Sequence, residues 1–313
     1  MELAIDHGTS DLRLGLCTSD TPVIHDDIFD GPATFTSAES VVALERHRGL
    51  DAGLSFEGAC LSVVMPVEYP TLRWPAELTQ RYFEGVKASK VMMAPTPLLA
   101  TFASGHASGY VVDIGYTGTR LTPVVEGSVL HYLTITSLLG GYIQDQVLLE
   151  AGVPQGFVGL TKKANAYARP TALTEPDTAR KIVTLPDQVE IDIGPQASQL
   201  GEILFQDCPR GSYLSLPRLL MSGLWSLPPD VRKAVKDNIV VCGGCAAARG
   251  FTERLRNELP GLKFHFDLRP DLVAWEGAAI LGQLKTFSEQ SVSRAEYNEK
   301  GPDVIYRRCL MKY

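Results

Sequence analysis

The chain has 313 residues, of which 45% are apolar and 21% are charged, and its formal net charge is −7. This length is sufficient for two domains with cores of their own. The acidic balance argues against direct binding to nucleic acid or to an anionic membrane surface. No apolar run reaches the roughly 18–20 residues that a membrane-spanning helix needs. We therefore expect a globular protein without a direct nucleic-acid or membrane partner.

Two segments of the chain predict β-hairpins with the same layout. In each, two apolar strands flank a turn that contains glycine, and the first strand ends in an aspartate. The two hairpins form a weak internal repeat, which suggests paired domains, although two unrelated hairpins would leave the same pattern. Their strands cover residues 2–6 and 12–17 in the first hairpin, and residues 109–113 and 119–125 in the second.

Three segments predict helices. Residues 97–105 form a short apolar helix with a glycine stop, at a position where a connector between domains would fall. Residues 273–285 are rich in small side chains, which favour close helix packing. Residues 251–259 place Phe251, Leu255 and Leu259 on one face, as a surface helix on a sheet requires. Segments rich in Pro, Gly, Thr, Ser and Asp predict loops over residues 18–40, 154–180 and 207–217.

The six cysteines are dispersed along the chain, which fits reduced thiols in a cytosolic or nuclear protein. Cys242 and Cys245 have the CxxC spacing of zinc and redox motifs. A structural zinc site needs four ligands, and the sequence has no second cysteine pair. We therefore interpret the two residues as ordinary thiols that flank a glycine turn, and we predict no metal site.

The C-terminal third carries the most specific pattern. It contains, in order, IVVCGGCAAARGF at 239–251, WEGAAIL at 275–281, EYNEKGP at 296–302 and YRRC at 306–309. This order and spacing closely resemble the C-terminal third of actin and the actin-related proteins. Residues 185–194 are similar to the family's LPDGQVITIG hairpin, and residues 138–144 to the segment after its second phosphate hairpin. The resemblance is strong over 109–150 and 239–310, fair over 2–17 and 90–108, and poor between.

The resemblance implies an α/β, actin-like fold with two ribonuclease-H-like domains around a nucleotide cleft. It places domain I at residues 1–97 and 275–313, and domain II at residues 98–274. The chain is shorter than actin, and the deficit falls near residues 28–60 and 154–217. We therefore expect reduced second and fourth subdomains.

The resemblance also implies a nucleotide site. In the family, turn amides of the two hairpins bind the phosphates, and the aspartate that ends each first strand holds a hydrated cation through water. These carboxylates correspond to Asp6 and Asp113. The other implied nucleotide contacts are Gly8, Thr9, Ser10 and Arg13 in the first hairpin, Gly115, Thr117, Gly118 and Arg120 in the second, Lys162 toward the base and ribose, and Gly243 and Gly244 along the adenine. We expect ATP or ADP as the ligand and do not expect a divalent cation.

Three family positions have changed. Tyr116 replaces the second acidic residue, Arg120 replaces a histidine, and Thr96 replaces the glutamine that positions water. In-line hydrolysis depends on positioning water and neutralising charge. We therefore assign no catalytic residue and predict weak or absent ATP hydrolysis. A collapsed cleft without nucleotide is the alternative.

The residues missing relative to actin are concentrated in two regions, and this distribution suggests a function. The shortened regions build the pointed face of the family fold, whereas residues 275–287 and 297–309 build the barbed face. Polymerisation needs both surfaces of a heterologous interface. We predict a non-polymerising structural subunit of a large complex, which caps the pointed end of an actin or actin-related filament through its barbed face. This layout resembles the pointed-end actin-related subunit of dynactin, in its short fungal form, and implies a cytoplasmic, cytoskeletal location. The alternatives are a nuclear subunit of a chromatin-remodelling complex and an active actin-like ATPase.

Overall fold

The computed structural model describes residues 1–8, 10–25, 38–67, 73–172, 181–194, 200–208 and 212–308. The chain divides into two compact units. The first comprises Met1–Ala107, Glu126–His131 and Leu272–Tyr313, and the second comprises Ser108–Val125 and Tyr132–Asp271. The sequence analysis set these boundaries at 97/98 and 274/275. No helix in the described ranges is long and apolar enough to cross a bilayer.

The elements follow the chain in three segments. The N-terminal segment holds β1 (Glu2–His7), β2 (Leu12–Leu16), β3 (Val23–His25), α1 (Ala38–Asp51), β4 (Cys60–Met65), α2 (Trp74–Glu84), β5 (Lys90–Pro95) and α3 (Thr96–Ala103). The central segment holds β6 (Gly109–Ile114), β7 (Thr119–Val125), β8 (Ser128–Val129), β9 (Ile135–Ser137), α4 (Gly141–Glu150), α5 (Gln155–Asn165), β10 (Ile182–Thr184), β11 (Glu190–Asp192), α6 (Leu216–Ser226), α7 (Pro229–Val235), β12 (Ile239–Cys242), α8 (Phe251–Glu258) and β13 (Phe264–Phe266). The C-terminal segment holds α9 (Val273–Gln283), α10 (Phe287–Gln290), β14 (Val292–Ser293), α11 (Arg294–Lys300) and α12 (Ile305–Arg308).

The first unit is built on a sheet with the strand order β14-β5-β4-β1-β2-β3. Strands β1 and β2 are antiparallel, which confirms the first predicted hairpin, whereas β1, β4 and β5 are parallel to one another. The parallel strands are buried along almost their whole length, as expected where both sheet faces are covered. Helix α9 packs on β1 and β4 and also against α3. Its Trp275 is buried and donates a hydrogen bond of 3.1 Å from Nε1 to the Ala4 carbonyl.

The second unit has a sheet in which β13, β12, β6 and β7 lie side by side, and β9 pairs with β7. The antiparallel pair of β6 and β7 confirms the second predicted hairpin. Strands β10 and β11 form a separate hairpin, in the segment similar to the family's LPDGQVITIG sequence. Phe251 and Leu255 are buried and Leu259 is partly buried, which confirms the predicted inward face of α8.

The other two predicted helices are also confirmed, as α3 and α9. The loop prediction over 154–180 is wrong at its start, where α5 forms because Val158, Thr161 and Asn165 are buried. The loop predicted over 18–40 contains β3 and the start of α1. Between these two elements lie only residues 26–37, which fall outside the described ranges.

Candidate nucleotide-binding hairpins

The first hairpin brings a buried charge cluster to the end of β1. Asp6 lies directly opposite Arg13 in the strand register. Arg13 Nη1 lies 3.2 Å from Asp6 Oδ2, and Arg13 Nη2 lies 3.4 Å from Asp11 Oδ2. The side chains of Asp6 and Arg13 are only 12% and 8% exposed. One guanidinium therefore pairs with the carboxylate that the family uses toward its cation and with a second carboxylate, Asp11, that sequence reasoning did not identify.

The turn of the first hairpin explains its glycine. A Cβ atom at Gly8 would lie 3.0 Å from the Asp11 carbonyl oxygen and 3.3 Å from Arg13 Nη1. A larger residue would therefore displace the arginine from its carboxylates. Ser10 donates a hydrogen bond of 3.0 Å from its hydroxyl to Asp11. Thr9 lies outside the described residues.

A second buried polar group lies behind this turn. Glu45 of α1 is fully buried, accepts a hydrogen bond of 2.8 Å from the Tyr82 hydroxyl, and has its Oε1 at 3.1 Å from Nδ1 of His7. Burial and the neighbouring Glu45 carboxylate raise the pKa of Tyr82 well above its ordinary value. The cluster ties the end of β1 to α1 and α2. A charged residue inside an ordinary helix gives no sequence signal for such a role.

The second hairpin has the same cross-strand arrangement, with Asp113 opposite Arg120 in register. Its turn is closed by a 3.0 Å hydrogen bond from the Gly115 amide to the Gly118 carbonyl. The first amides of α4 cover the turn, since Gly141 donates to the Gly115 carbonyl at 3.1 Å and Tyr142 donates to the Tyr116 carbonyl at 2.8 Å. The start of α4 thereby fixes the backbone of the turn. Thr117, which is part of this turn, is half-buried.

Tyr116, which replaces the family's second acidic residue, makes a cation–π contact with a lysine of the same chain. Lys162 Nζ lies 4.9 Å from the centroid of the Tyr116 ring, and the Tyr142 ring meets Tyr116 edge-on at 6.1 Å. The same ammonium forms an ion pair of 2.5 Å with Asp145. Lys162 of α5 and Asp145 of α4 are both largely buried, with side chains 15% and 10% exposed. Sequence reasoning singled out Lys162 but not its partner Asp145, which lies seventeen positions earlier.

The glycine turn after β12 packs on the second hairpin. Gly243 has a φ of +99°, and a Cβ there would lie 2.5 Å from the Ile114 carbonyl oxygen. Its amide donates to the Pro270 carbonyl at 2.8 Å. A Cβ at Gly244, by contrast, would meet no atom within 4 Å. Gly243 therefore has a structural role within the second unit, whereas position 244 has room for a side chain.

Cys242 and Cys245, beside this turn, are buried and form no disulfide. Cys245 donates from Sγ to the Gly115 carbonyl at 3.4 Å. Within the described ranges, no group of three or more His, Cys, Asp or Glu side chains is arranged to hold a metal ion.

In the first unit, the Thr96 hydroxyl donates to the Met65 carbonyl at 3.2 Å. This position therefore presents a short side chain already hydrogen-bonded to the backbone, with no amide to orient a water molecule.

Of the predicted nucleotide contacts that the structure describes, Asp6, Gly8, Ser10 and Arg13 lie around the first hairpin. The others lie in the second unit, on or near the second hairpin: Asp113, Gly115, Thr117, Gly118, Arg120, Lys162, Gly243 and Gly244. Their roles as nucleotide contacts stay predictions. An α/β protein with two hairpins of this form, each with an aspartate one residue before the end of its first strand, has the fold class that the sequence analysis predicted.

Comparison with known proteins agrees with this fold class. The family model described as actin matches residues 70–153 and 158–310. The chain therefore belongs to the actin family. It is similar to actin-like protein 9 of Bos taurus, with 30% identity over 255 residues, covering 74% of this chain and 61% of the relative. It is also similar to actin-related protein 7 of Arabidopsis thaliana, with 28% identity over 263 residues, covering 75% of this chain and 71% of that relative.

Proposed function

We propose that this chain is a non-polymerising, actin-related structural subunit of a multiprotein assembly. In this proposal it caps the pointed end of an actin or actin-related filament, as in the dynactin complex of dynein-driven transport, and acts in the cytoplasm. One observation carries the proposal. Between β3, which ends at His25, and α1, which begins at Ala38, the chain has only residues 26–37. This interval lies where the sequence analysis expects a reduced second subdomain, whereas the C-terminal segment holds the four helices α9 to α12.

Growth of a filament requires two complementary surfaces on each subunit. A subunit that lacks one of them can add to a filament end and then stop further addition. The retained surface offers apolar contacts, since Ile280 and Leu284 are each 44% exposed and lie four residues apart along α9 and its C-terminal cap. Trp275, on the same helix, is buried in the core and cannot be one of these contacts.

The changes at three family positions support a structural rather than a catalytic role. Tyr116 is packed against Lys162 and Tyr142, and the Thr96 hydroxyl is bonded to the Met65 carbonyl. Neither arrangement supplies a group that positions water for attack on a phosphate. We therefore propose that ATP or ADP, where bound, stabilises the fold and is turned over slowly or not at all.

The test is affinity purification of the protein from its source cells, followed by mass spectrometry of the chains that co-purify. We expect actin or actin-related filament subunits with the wild-type chain, and their loss with the double variant Ile280→Glu, Leu284→Glu. Leu160→Glu is the matched control, because Leu160 is 52% exposed on α5 in the other unit. Recovery of chromatin-remodelling subunits in place of filament subunits would support the nuclear alternative and contradict the cap.

A further inference from the structure

Of the three tryptophans in this chain, only Trp225 lies on the surface. It stands near the end of α6 and is 65% exposed, whereas Trp74 and Trp275 are 2% and 1% exposed. An indole carries a large apolar area, so leaving it in water forgoes the free energy that its burial would contribute. Tryptophan and arginine are the residue types most enriched among the side chains that contribute most to interface affinity.

An arginine of α7 holds the indole in place. The guanidinium carbon of Arg232 lies 4.7 Å from the centroid of the Trp225 ring, and its Nη1 donates a hydrogen bond of 3.0 Å to the Trp225 carbonyl. A cation stacked on an aromatic face is attracted by the quadrupole of the ring. The ring is therefore ordered before any partner arrives, and its remaining exposed area can receive an apolar side chain with little further loss of conformational entropy.

The surface around Trp225 is basic, although the protein as a whole is acidic. Residues 216–237 contain four basic and two acidic side chains, a net charge of +2, while the whole chain has −7. The basic residues are Arg218, Arg232, Lys233 and Lys236. Arg218 and Lys236 pair with neighbouring aspartates, whereas Arg232 and Lys233 have no ion pair with any carboxylate of the described residues. Two positive charges beside the indole therefore remain available to a partner.

A partner that fits this surface combines an apolar side chain for the indole with carboxylates for the two cations. A basic segment would be repelled, and the overall charge of −7, with Asp230 and Asp237 among the basic residues, disfavours nucleic acid. We propose that α6 and α7 form a docking surface for an acidic segment of a partner protein, with Trp225 as its apolar anchor.

This docking surface is separate from the surface of the proposed cap. It lies in the second unit, whereas Ile280 and Leu284 lie in the first. The inference therefore goes beyond the proposed function and does not depend on it. The Ile280→Glu, Leu284→Glu variant leaves α6 and α7 unchanged, so failure of the cap and failure of this inference are distinguishable.

The direct test is fluorescence anisotropy of the full chain with a labelled acidic peptide of about fifteen residues, in which leucines alternate with pairs of glutamates. A matched peptide carries lysine in place of glutamate. We expect the acidic peptide to bind about tenfold more tightly or better, and its affinity to fall about fivefold between about 0.05 and 0.5 M NaCl. Equal affinity for the two peptides, or no binding of either, would overturn the inference.

Variants locate the site. Trp225→Ala removes an exposed side chain, so it should leave the fold intact and weaken binding of the acidic peptide by about thirtyfold or more. Arg232→Gln should also weaken binding, and Arg232→Lys should recover part of the loss because it keeps the charge. Tyr132→Ala is the matched control, since Tyr132 is 80% exposed in the same unit. Equal losses in Trp225→Ala and Tyr132→Ala would contradict a specific role for the indole.

Acrylamide quenching gives a second readout in the wild-type chain. Because Trp74 and Trp275 are buried, acrylamide should quench mainly the emission of Trp225, and the bound acidic peptide should lower the quenching constant. Tighter binding of oligothymidylate than of the acidic peptide would assign the surface to nucleic acid. A dimer of the chain alone in sedimentation, dissociated by Trp225→Ala, would assign it to a second copy. Either result would overturn the inference.

Discussion

Gly243 and Gly244 are adjacent in sequence but differ in the space available to a side chain, so alanine substitution at each forms a matched pair. Gly243 has φ and ψ of +99° and 156°, a backbone conformation essentially restricted to glycine. Its added Cβ would lie 2.5 Å from the Ile114 carbonyl oxygen and 2.7 Å from the Ile114 nitrogen. At Gly244 the added Cβ would meet nothing within 4 Å.

The expected cost of Gly243→Ala follows from two effects. The unfavourable backbone conformation costs of order 1–3 kcal/mol. The collision with the end of β6 adds about 1–3 kcal/mol, typical of overpacking at a site that cannot move freely. We therefore expect a loss of about 2–6 kcal/mol, a large part of the usual stability of a domain, which is about 5–15 kcal/mol. Gly244→Ala should change stability by less than about 0.5 kcal/mol.

Hydrogen exchange measured by mass spectrometry is the appropriate assay, because the chain has two units and a single unfolding midpoint would mix them. In Gly243→Ala, amides of β6 and β12 should exchange faster, while amides of β1 and β4 in the other unit keep their wild-type protection. Equal protection of β6 and β12 in the two alanine variants would refute the close contact between the glycine turn and the second hairpin.

Three further predictions concern buried groups. Arg254→Met leaves Glu202, 2.8 Å away and almost fully buried, without its ion-pair partner, so the opening free energy from hydrogen exchange of α8 amides should fall by about 3–5 kcal/mol. The double variant with Glu202→Leu should recover most of this loss, and failure to do so would refute the assignment of the cost to an unpaired charge. Burial lowers the pKa of His131, so the folded state takes up its proton less readily than the unfolded state. Stability should therefore be full above the unfolded pKa of about 6.5 and decline as pH falls below it. In His131→Asn, the folding free energy from hydrogen exchange of first-unit amides should fall less between about pH 7 and 5. An unchanged pH dependence would contradict this. Burial, with smaller effects of Glu2 and Cys60, raises the pKa of Cys17 to about 12, so iodoacetamide at pH 8 should alkylate the partly exposed Cys60 before Cys17 in the folded protein, and the reverse order on peptide mass spectrometry would contradict the burial.

The hairpins were predictable because their signal is local. Alternating or continuous apolar residues around a glycine turn specify an antiparallel pair without reference to the rest of the chain. The inward face of α8 was predictable for the same reason, since Phe251 and Leu255 follow the helical period. The family motifs then predicted how these local elements follow one another along the chain.

Tertiary packing decided the elements that sequence reasoning missed. Helix α5 contains two glycines, which disfavour a helix, yet burial of Val158 and Thr161 outweighs this preference. In α1 the buried face includes Glu45, whose charge would place it on the solvent side in any pattern based on hydrophobicity. Its role is visible only when His7 and Tyr82 are brought beside it.

The sequence predicted that Asp6, Arg13 and Arg120 lie on the two hairpins, and their roles toward nucleotide stay predictions. The ion pair of Lys162 with Asp145 was not predictable, because it depends on the packing of α4 against α5. The substitution of Tyr116 was evident in the sequence. That its ring lies beside a lysine ammonium was not, because the lysine lies far along the chain.

We propose that this member of the actin family keeps the fold, while Thr96, Tyr116 and Arg120 no longer support ATP turnover. The most direct measurement is release of labelled phosphate from γ-labelled ATP by the purified chain, with saturating ATP and Mg²⁺. We predict no release above the buffer blank on the timescale of hours, and the triple variant Thr96→Gln, Tyr116→Asp, Arg120→His is the matched attempt to restore it. A stoichiometric burst of phosphate from the wild-type chain would contradict the account.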